Sequence, residues 1–215
     1  MPEQIPSGYD QIYTSLLPRL ADCDIVAQAR QLGLTPEGED AARAEFLGRH
    51  YLITNQGVDT VDGGPQTNIN NRSLLIYYIL AKGGIEPKFS FVPVGRLTGM
   101  PSGTHDGKGE DEGWFICEAL LRDIQGQYNL FVAAAEELNG EYIGILLGGH
   151  CWQFMVLPKI PMRMIFYEAD EEFPAELQAQ FDETAPYYMD FECLAFLSGS
   201  VMRELCSIAR QQKQA

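Results

Sequence analysis

The sequence predicts one α+β domain over residues 1–215, a mostly antiparallel sheet with helices from both ends of the chain packed against it. Two patterns and the length carry that expectation. Apolar residues recur at helical spacing up to Leu32 and again beyond Asp190, whereas β-branched and aromatic runs joined by glycine turns fill much of the interval. A chain of 215 residues buries roughly 70% of the surface its unfolded form exposes, enough for one ordinary core.

The first helix is capped by Ser7, with Tyr9, Ile12, Tyr13, Leu16, Leu17 and Leu20 at helical spacing and Pro18 expected to end or kink it. A shorter helix follows, capped by Asp22 or Asp24 and stopped at Gly33. After a loop at 35–40, the runs 44–47 and 50–54 flank Gly48-Arg49 as a hairpin with His50 on its solvent side, and Val58 to Val61 adds a strand. Asn70 or Asn71 opens SLLIYYILAKGG, a helix apolar nearly all round and therefore the expected core helix, with Tyr77 and Tyr78 within it. Phe89, Phe91 and Val92 form a strand that ends at Pro93.

The stretch 95–113 is rich in glycine and reads as a long flexible loop, either a functional lid or dispensable. Its Asp106 to Glu112 core lacks the alternation and closing glutamate of a calcium loop. Two amphipathic helices follow, Trp114 to Ile124 and Tyr128 to Leu138. Strands 141–147 and 151–157, joined through Gly148-Gly149-His150, and 162–167 make an antiparallel meander. Asp190 caps a last helix, and the tail from Arg210 to Ala215 is expected to fray.

Fifteen Lys and Arg stand against 30 Asp and Glu, a net charge of −15. Such a surface repels phosphate backbones and anionic lipids, which leaves a small molecule or a protein as the partner to expect, not nucleic acid or a membrane. No apolar run approaches the ~20 residues of a membrane span, and MPEQIPSGYD lacks the apolar segment of a signal peptide. Five cysteines without a CxxC pair read as reduced, mostly buried thiols, so a cytoplasmic setting is expected.

Chemistry concentrates in LPKIPMRMIFYEADEEFPAELQAQFD, from Leu157 to Asp182. A buried strand to Tyr167 runs into Glu168, Asp170, Glu171 and Glu172, and Pro174 is placed as the first residue of a helix. Extended geometry would set Glu168, Asp170 and Glu172 on one face, where they could hold a hard cation or a shared proton. The plainer reading is that they favour the positive end of the following helix. Arg163 on the central strand calls for a partner among Asp170 and Glu172 or serves an anion; Arg72, at the start of the core helix, raises the same question. His105, Cys117, His150 and Cys151 match no zinc spacing, so no metal is assigned, and Cys151 reads as a small apolar strand residue rather than a nucleophile served by His150 or His105. No nucleophile elbow, phosphate loop or dinucleotide fingerprint is present, and the sequence names neither a cofactor nor a reaction.

The helix LLIYYIL, the paired prolines of LPKIP, the run MRMIFYEADEEFPAELQAQFD and the closing YYMDFECLAFLSGSVM together resemble a bacterial and archaeal family known as domain of unknown function 3786, from about Ala27 to Leu205. Asp170, Glu171, Glu172, Phe173, Pro174, Phe181 and Asp182 match its most specific motif. The resemblance implies no established activity. Some relatives look like fusions to iron–sulfur segments with clustered cysteines, which this chain lacks; the glycine-rich loop before Trp114 also diverges from the family.

The leading expectation is a non-catalytic ligand-binding or accessory protein, its site at the acidic strand exit formed by Asp170, Glu171, Glu172, Asp182, Arg163 and Arg72. A hydrolase or lyase using one of Asp170, Glu171 or Glu172 as general base, with or without a divalent ion, is the enzyme alternative. A protein-binding module presenting Trp114 or Trp152 is the third.

Overall fold

A computed structural model of the protein describes residues 7–61, 68–97, 122, 124 and 127–213. The fold is α+β with antiparallel sheets, and the strands divide between two of them. Contacts divide the chain into two compact units, Met1–Ile85 with Tyr187–Met189, and Glu86–Pro186 with Asp190–Ala215.

In the first unit, α1 (Gly8–Ala21) begins with a capping box in which Ser7 Oγ accepts from the Asp10 amide and Asp10 returns a bond to the Ser7 amide. The helix continues through Pro18 rather than ending there. Pro18 lies in the last turn, so the one intrahelical bond that its missing amide removes falls near the end of the helix. Asn55 closes this helix from a distance, its side-chain amide donating to the carbonyls of Leu20, Ala21 and Cys23. Asp24 caps α2 (Ile25–Leu32), and Gly33 in the left-handed region stops it.

The segment expected as a loop at 35–40 opens with β1 (Thr35–Glu37), which pairs with β2 (Ala41–Phe46). β3 (Arg49–Thr54) and β4 (Gly57–Thr60) complete a four-stranded antiparallel sheet in sequence order, with His50 exposed. The core helix α3 (Ile69–Ile79) is capped by Asn68, earlier than expected, and buries Leu74, Leu75, Ile76, Tyr78 and Ile79. Tyr78 Oη donates to the buried Leu32 carbonyl at 2.8 Å, so this tyrosine is a structural one.

The second unit holds a five-stranded antiparallel sheet in the order β5-β9-β8-β7-β6. Its elements are β5 (Phe91–Pro93), the helical turn α4 (Val94–Leu97), α5 (Tyr128–Glu137), β6 (Glu141–Leu146), β7 (Gly149–Leu157), β8 (Ile160–Tyr167), β9 (Glu176–Asp182) and α6 (Phe191–Gln212). The expected loop at 95–113 begins as α4 and otherwise lies outside the described residues, as does most of the helix expected from Trp114 to Ile124.

The expected meander of three strands is present, with one change in register. The β6–β7 turn is Leu147-Gly148, both at positive φ, so His150 belongs to β7 and pairs with Ile145 and Phe166. The larger correction follows Pro174. The helix expected there is β9, a fourth antiparallel strand. Leu177 and Phe181 stand four apart, a spacing that puts them on one side of a helix and equally on one side of a strand. Pairing decides between the two, since Leu177 meets Phe166 and Phe181 meets Met162 across the ladder.

Phe131 of α5 stacks on Phe166 at 5.4 Å and meets Trp152 edge-on at 6.3 Å, which seats the helix over one face of the sheet. Trp152 is only 4% exposed and so contributes to the core, not to the exposed patch expected of a docking module. The exposed apolar side chains at this end belong instead to edge strand β6 and its turn, namely Ile143, Ile145 and Leu147. α6 is capped by Asp190 and runs through Arg210 to Gln212, with Leu194, Leu197, Val201 and Leu205 fully buried.

Candidate functional site

The acidic residues at the exit of β8 do not extend along a strand and do not precede a helix. They form the β8–β9 turn. Asp170 Oδ1 accepts from the amides of Glu172 at 2.8 Å and Phe173 at 2.7 Å, while the Asp170 amide donates to the Phe173 carbonyl. The Phe173 and Glu172 amides hold the Asp170 carboxyl below the usual aspartate value, because they favour its charged form. Asp170 is therefore the residue that closes the turn, and Glu171 and Glu172 are exposed beside it. Among the described residues no three His, Cys, Asp or Glu side chains converge as a metal set.

The other three expected site residues each have partners of their own. Asp182, at the end of β9, is fully buried. Its Oδ2 accepts from the Ser90 amide, and Oδ1 from the amides of Lys88 and Thr184 and from Thr184 Oγ1. It ties the segment before β5 to the end of β9. Arg72 lies in the first unit, donating to the Val58 carbonyl, Tyr13 Oη and Asp59 Oδ1, with its guanidinium 4.6 Å from the centre of the Tyr13 ring. Arg163 does not pair with Asp170 or Glu172. Its Nε donates to Gln153 Oε1 at 3.2 Å, and its guanidinium lies 4.0 Å from the centre of the Phe91 ring.

What the sheet does bring together is centred on His150. Residue 150 lies opposite Phe166 in the β7–β8 ladder, and Glu168 follows two positions later, where β8 gives way to the turn. Glu168 Oε1 stands 3.0 Å from His150 Nε2, and Tyr142 Oη from β6 stands 3.2 Å from His150 Nδ1. Tyr128, at the start of α5, stacks on the imidazole at 4.0 Å and 23°, and its hydroxyl accepts from Trp152 Nε1 at 3.0 Å. Gly149 lets the strands meet this closely, since a Cβ there would lie 2.9 Å from the Phe166 carbonyl oxygen and 2.7 Å from Ile165.

The chemistry follows from the partners. With a neutral ring, Nε2–H donates to Glu168 and Nδ1 accepts from Tyr142; with a charged ring, Nδ1–H donates to Tyr142 instead. One imidazole thus connects an exposed carboxylate to an exposed phenol and can pass a proton between them. Burial pushes the Tyr128 hydroxyl above its ordinary value, opposed by the Trp152 N–H and reinforced by Tyr142 and Glu168, so this ring remains a neutral stacking surface.

Cys151, the neighbour of His150, points to the opposite face, as alternation along β7 requires. Cys151 and His150 thus form neither a nucleophile–base pair nor two ligands of one metal. Burial raises its thiol value against a smaller lowering by Arg163, which keeps it protonated. His105 and Cys117 lie outside the described residues.

Glu168 was expected only as one of the strand-exit carboxylates, Tyr142 and Tyr128 were not singled out, and His150 was assigned to a turn. The signal that would have found them is register. Placing the β6–β7 turn at Leu147-Gly148 and the β7–β8 turn at Pro158-Lys159 brings position 150 near the end of β8, and the register shift between Met155 and Leu157 then sets it opposite 166, beside Glu168.

The fold and this cluster define an α+β protein with a histidine held between a carboxylate and a tyrosine at one end of an antiparallel sheet. The chain belongs to the family described as domain of unknown function (DUF3786), which matches residues 24–204. No curated protein and no solved structure matches it.

Proposed function

We propose that this is a cytoplasmic ligand-binding or accessory protein whose site is the His150 cluster at the acidic end of the second sheet. The observation that supports it most is the Glu168–His150–Tyr142 line of hydrogen bonds, backed by the Tyr128 ring. Two of its members are open to solvent, Glu168 with 60% and Tyr142 with 46% exposure. An acceptor carboxylate, a switchable imidazole and a phenol within one short span suit a small molecule carrying hydrogen-bond donors, and the negative charge of the chain favours a neutral or cationic one. The free cysteines among the described residues fit a reducing compartment.

Native mass spectrometry of the protein purified from cells tests this, run beside the variants His150→Gln and Glu168→Gln. A bound small molecule on the wild type that both variants lose is the expected result. An apo mass for the wild type, with no saturable response to a panel of amines and polyols, would remove the proposal.

The enzyme reading draws support from the same hydrogen-bond line. A carboxylate that orients an imidazole beside a hydroxyl is what a general base needs. In that case His150 is the base, rather than Asp170, whose Oδ1 is committed to the turn. It predicts that His150→Gln retains the ligand but stops its conversion.

A further inference from the structure

The opposite face of the same sheet carries a second arrangement, independent of the His150 cluster. Register places Gln153, Arg163, Gln180 and Pro93 in one row across β7, β8, β9 and β5, with Cys151, Ile165 and Gln178 in the next row. A strand places alternate residues on one face, so the polar members of these rows form a patch in the middle of a sheet. Arg163 is half-buried there. The face of Phe91 and the Gln153 carbonyl fix its guanidinium.

In a chain with twice as many acids as bases, this arginine forms no ion pair among the described residues. The buried carboxylate at the end of the neighbouring strand, Asp182, is already committed to four donors. Among the described residues its terminal nitrogens meet no carboxylate, so the planar fork is held in place and open to an anion. Gln180 Nε2 donates to Gln178 Oε1 at 3.0 Å, which leaves the Gln178 amide nitrogen as a further donor on this face. Phe91 and Pro93 at one side, and the half-exposed Met155, add apolar surface.

We infer that this face binds a small carboxylate with a short apolar portion, its oxygens on the Arg163 fork and its hydrocarbon over Phe91. The fork geometry matches a planar carboxylate in two parallel hydrogen bonds. A singly charged anion also meets less repulsion from a chain of this charge than a phosphate does.

Hexanoate is the probe, with hexanamide as its uncharged counterpart and inorganic phosphate as the competing anion. Isothermal titration follows affinity, and the Arg163 Nε–H resonance follows position. Saturable hexanoate binding that moves the Arg163 resonance is expected, with hexanamide silent and Arg163→Lys weakened by at least about tenfold. Arg163→Lys retains charge and stem, so it separates loss of the fork from loss of the fold; Gln178→Leu is expected to weaken binding by a smaller factor. Absence of a saturable response, equal affinity in Arg163→Lys, or tighter binding of phosphate than of hexanoate would each overturn the inference. His150→Gln leaves hexanoate affinity unchanged, so the two sites stand or fall separately.

Discussion

Replacing Asp182 measures how far the second unit depends on one buried carboxylate. In Asp182→Asn the carbonyl oxygen can retain the role of Oδ1 toward Thr184 and Lys88. The new NH2 then faces the Ser90 amide, which now meets Oδ2 at 2.9 Å. One charge-assisted hydrogen bond, at ~1.5–3 kcal/mol, is exchanged for an unsatisfied buried donor, at ~1–3 kcal/mol, so a loss of about 3 kcal/mol is expected. At roughly 2–4 °C per kcal/mol for a chain of this size, the melting temperature falls by ~6–12 °C. Asp182→Ala removes all four acceptor contacts and costs more, a large part of the ~5–15 kcal/mol by which folded proteins exceed their unfolded state.

Urea unfolding gives the magnitude, and amide hydrogen exchange gives the place: Ser90 loses protection first in Asp182→Asn, while Thr184 retains it. An Asp182→Asn protein within ~0.5 kcal/mol of wild type, with the Ser90 amide still protected, would refute the reasoning and reopen Asp182 as a ligand-binding carboxylate.

Two further outcomes follow from the same geometry. Gly149→Ala places a Cβ 2.9 Å from the Phe166 carbonyl and 2.7 Å from Ile165, so a destabilisation of ~1–3 kcal/mol is expected by urea titration, together with a shift of the His150 ring resonances; an unchanged midpoint would show that β7 and β8 can part there freely. Because Asp170 is held below the ordinary aspartate value by the Phe173 and Glu172 amides, the β8–β9 turn is fully stabilised above the unfolded aspartate value of about 3.9 and loses that stabilisation as pH falls through the lower folded value. Carboxyl NMR should place the Asp170 midpoint below that value, with the Glu172 and Phe173 amides moving in step, and a midpoint at or above it would contradict the turn.

Much of the fold was legible because it rests on local chemistry. Ser7, Asp24 and Asp190 cap helices where a short acceptor precedes an apolar period, and Gly33 ends α2 by adopting positive φ. The meander was legible because its strands are apolar and its turns carry breakers, Gly148 in the first and Pro158 in the second. β9 was not, since ELQAQFD favours a helix locally and becomes a strand only because Phe166 and Met162 offer partners across the ladder.

The candidate site was less legible for a related reason. Asp170, Glu171 and Glu172 are conspicuous as neighbours in sequence, but the Asp170 carboxylate is committed to the turn. His150, Glu168, Tyr142 and Tyr128 come from β7, the end of β8, β6 and α5, and only strand register joins them. Arg163 was correctly placed on a central strand, but its neighbours are Gln153 and Phe91, which charge matching does not select.

The short segment Tyr187–Met189, which belongs to the first unit although it lies between β9 and α6, affects how the chain is made. Tyr188 is buried, its hydroxyl donates to the Ile85 carbonyl and its ring lies 6.1 Å from Tyr78, yet it is synthesised 103 residues after Ile85. On the ribosome, the leading part of the chain therefore emerges without its last packing piece and waits for it while the whole second sheet is translated. A nascent chain stalled after Ile85 would leave Tyr78 without that neighbour. For the same reason, no single cut in the gene separates the two units: recombination that moved either one as a contiguous block would leave the first without Tyr188 or carry a fragment of it away.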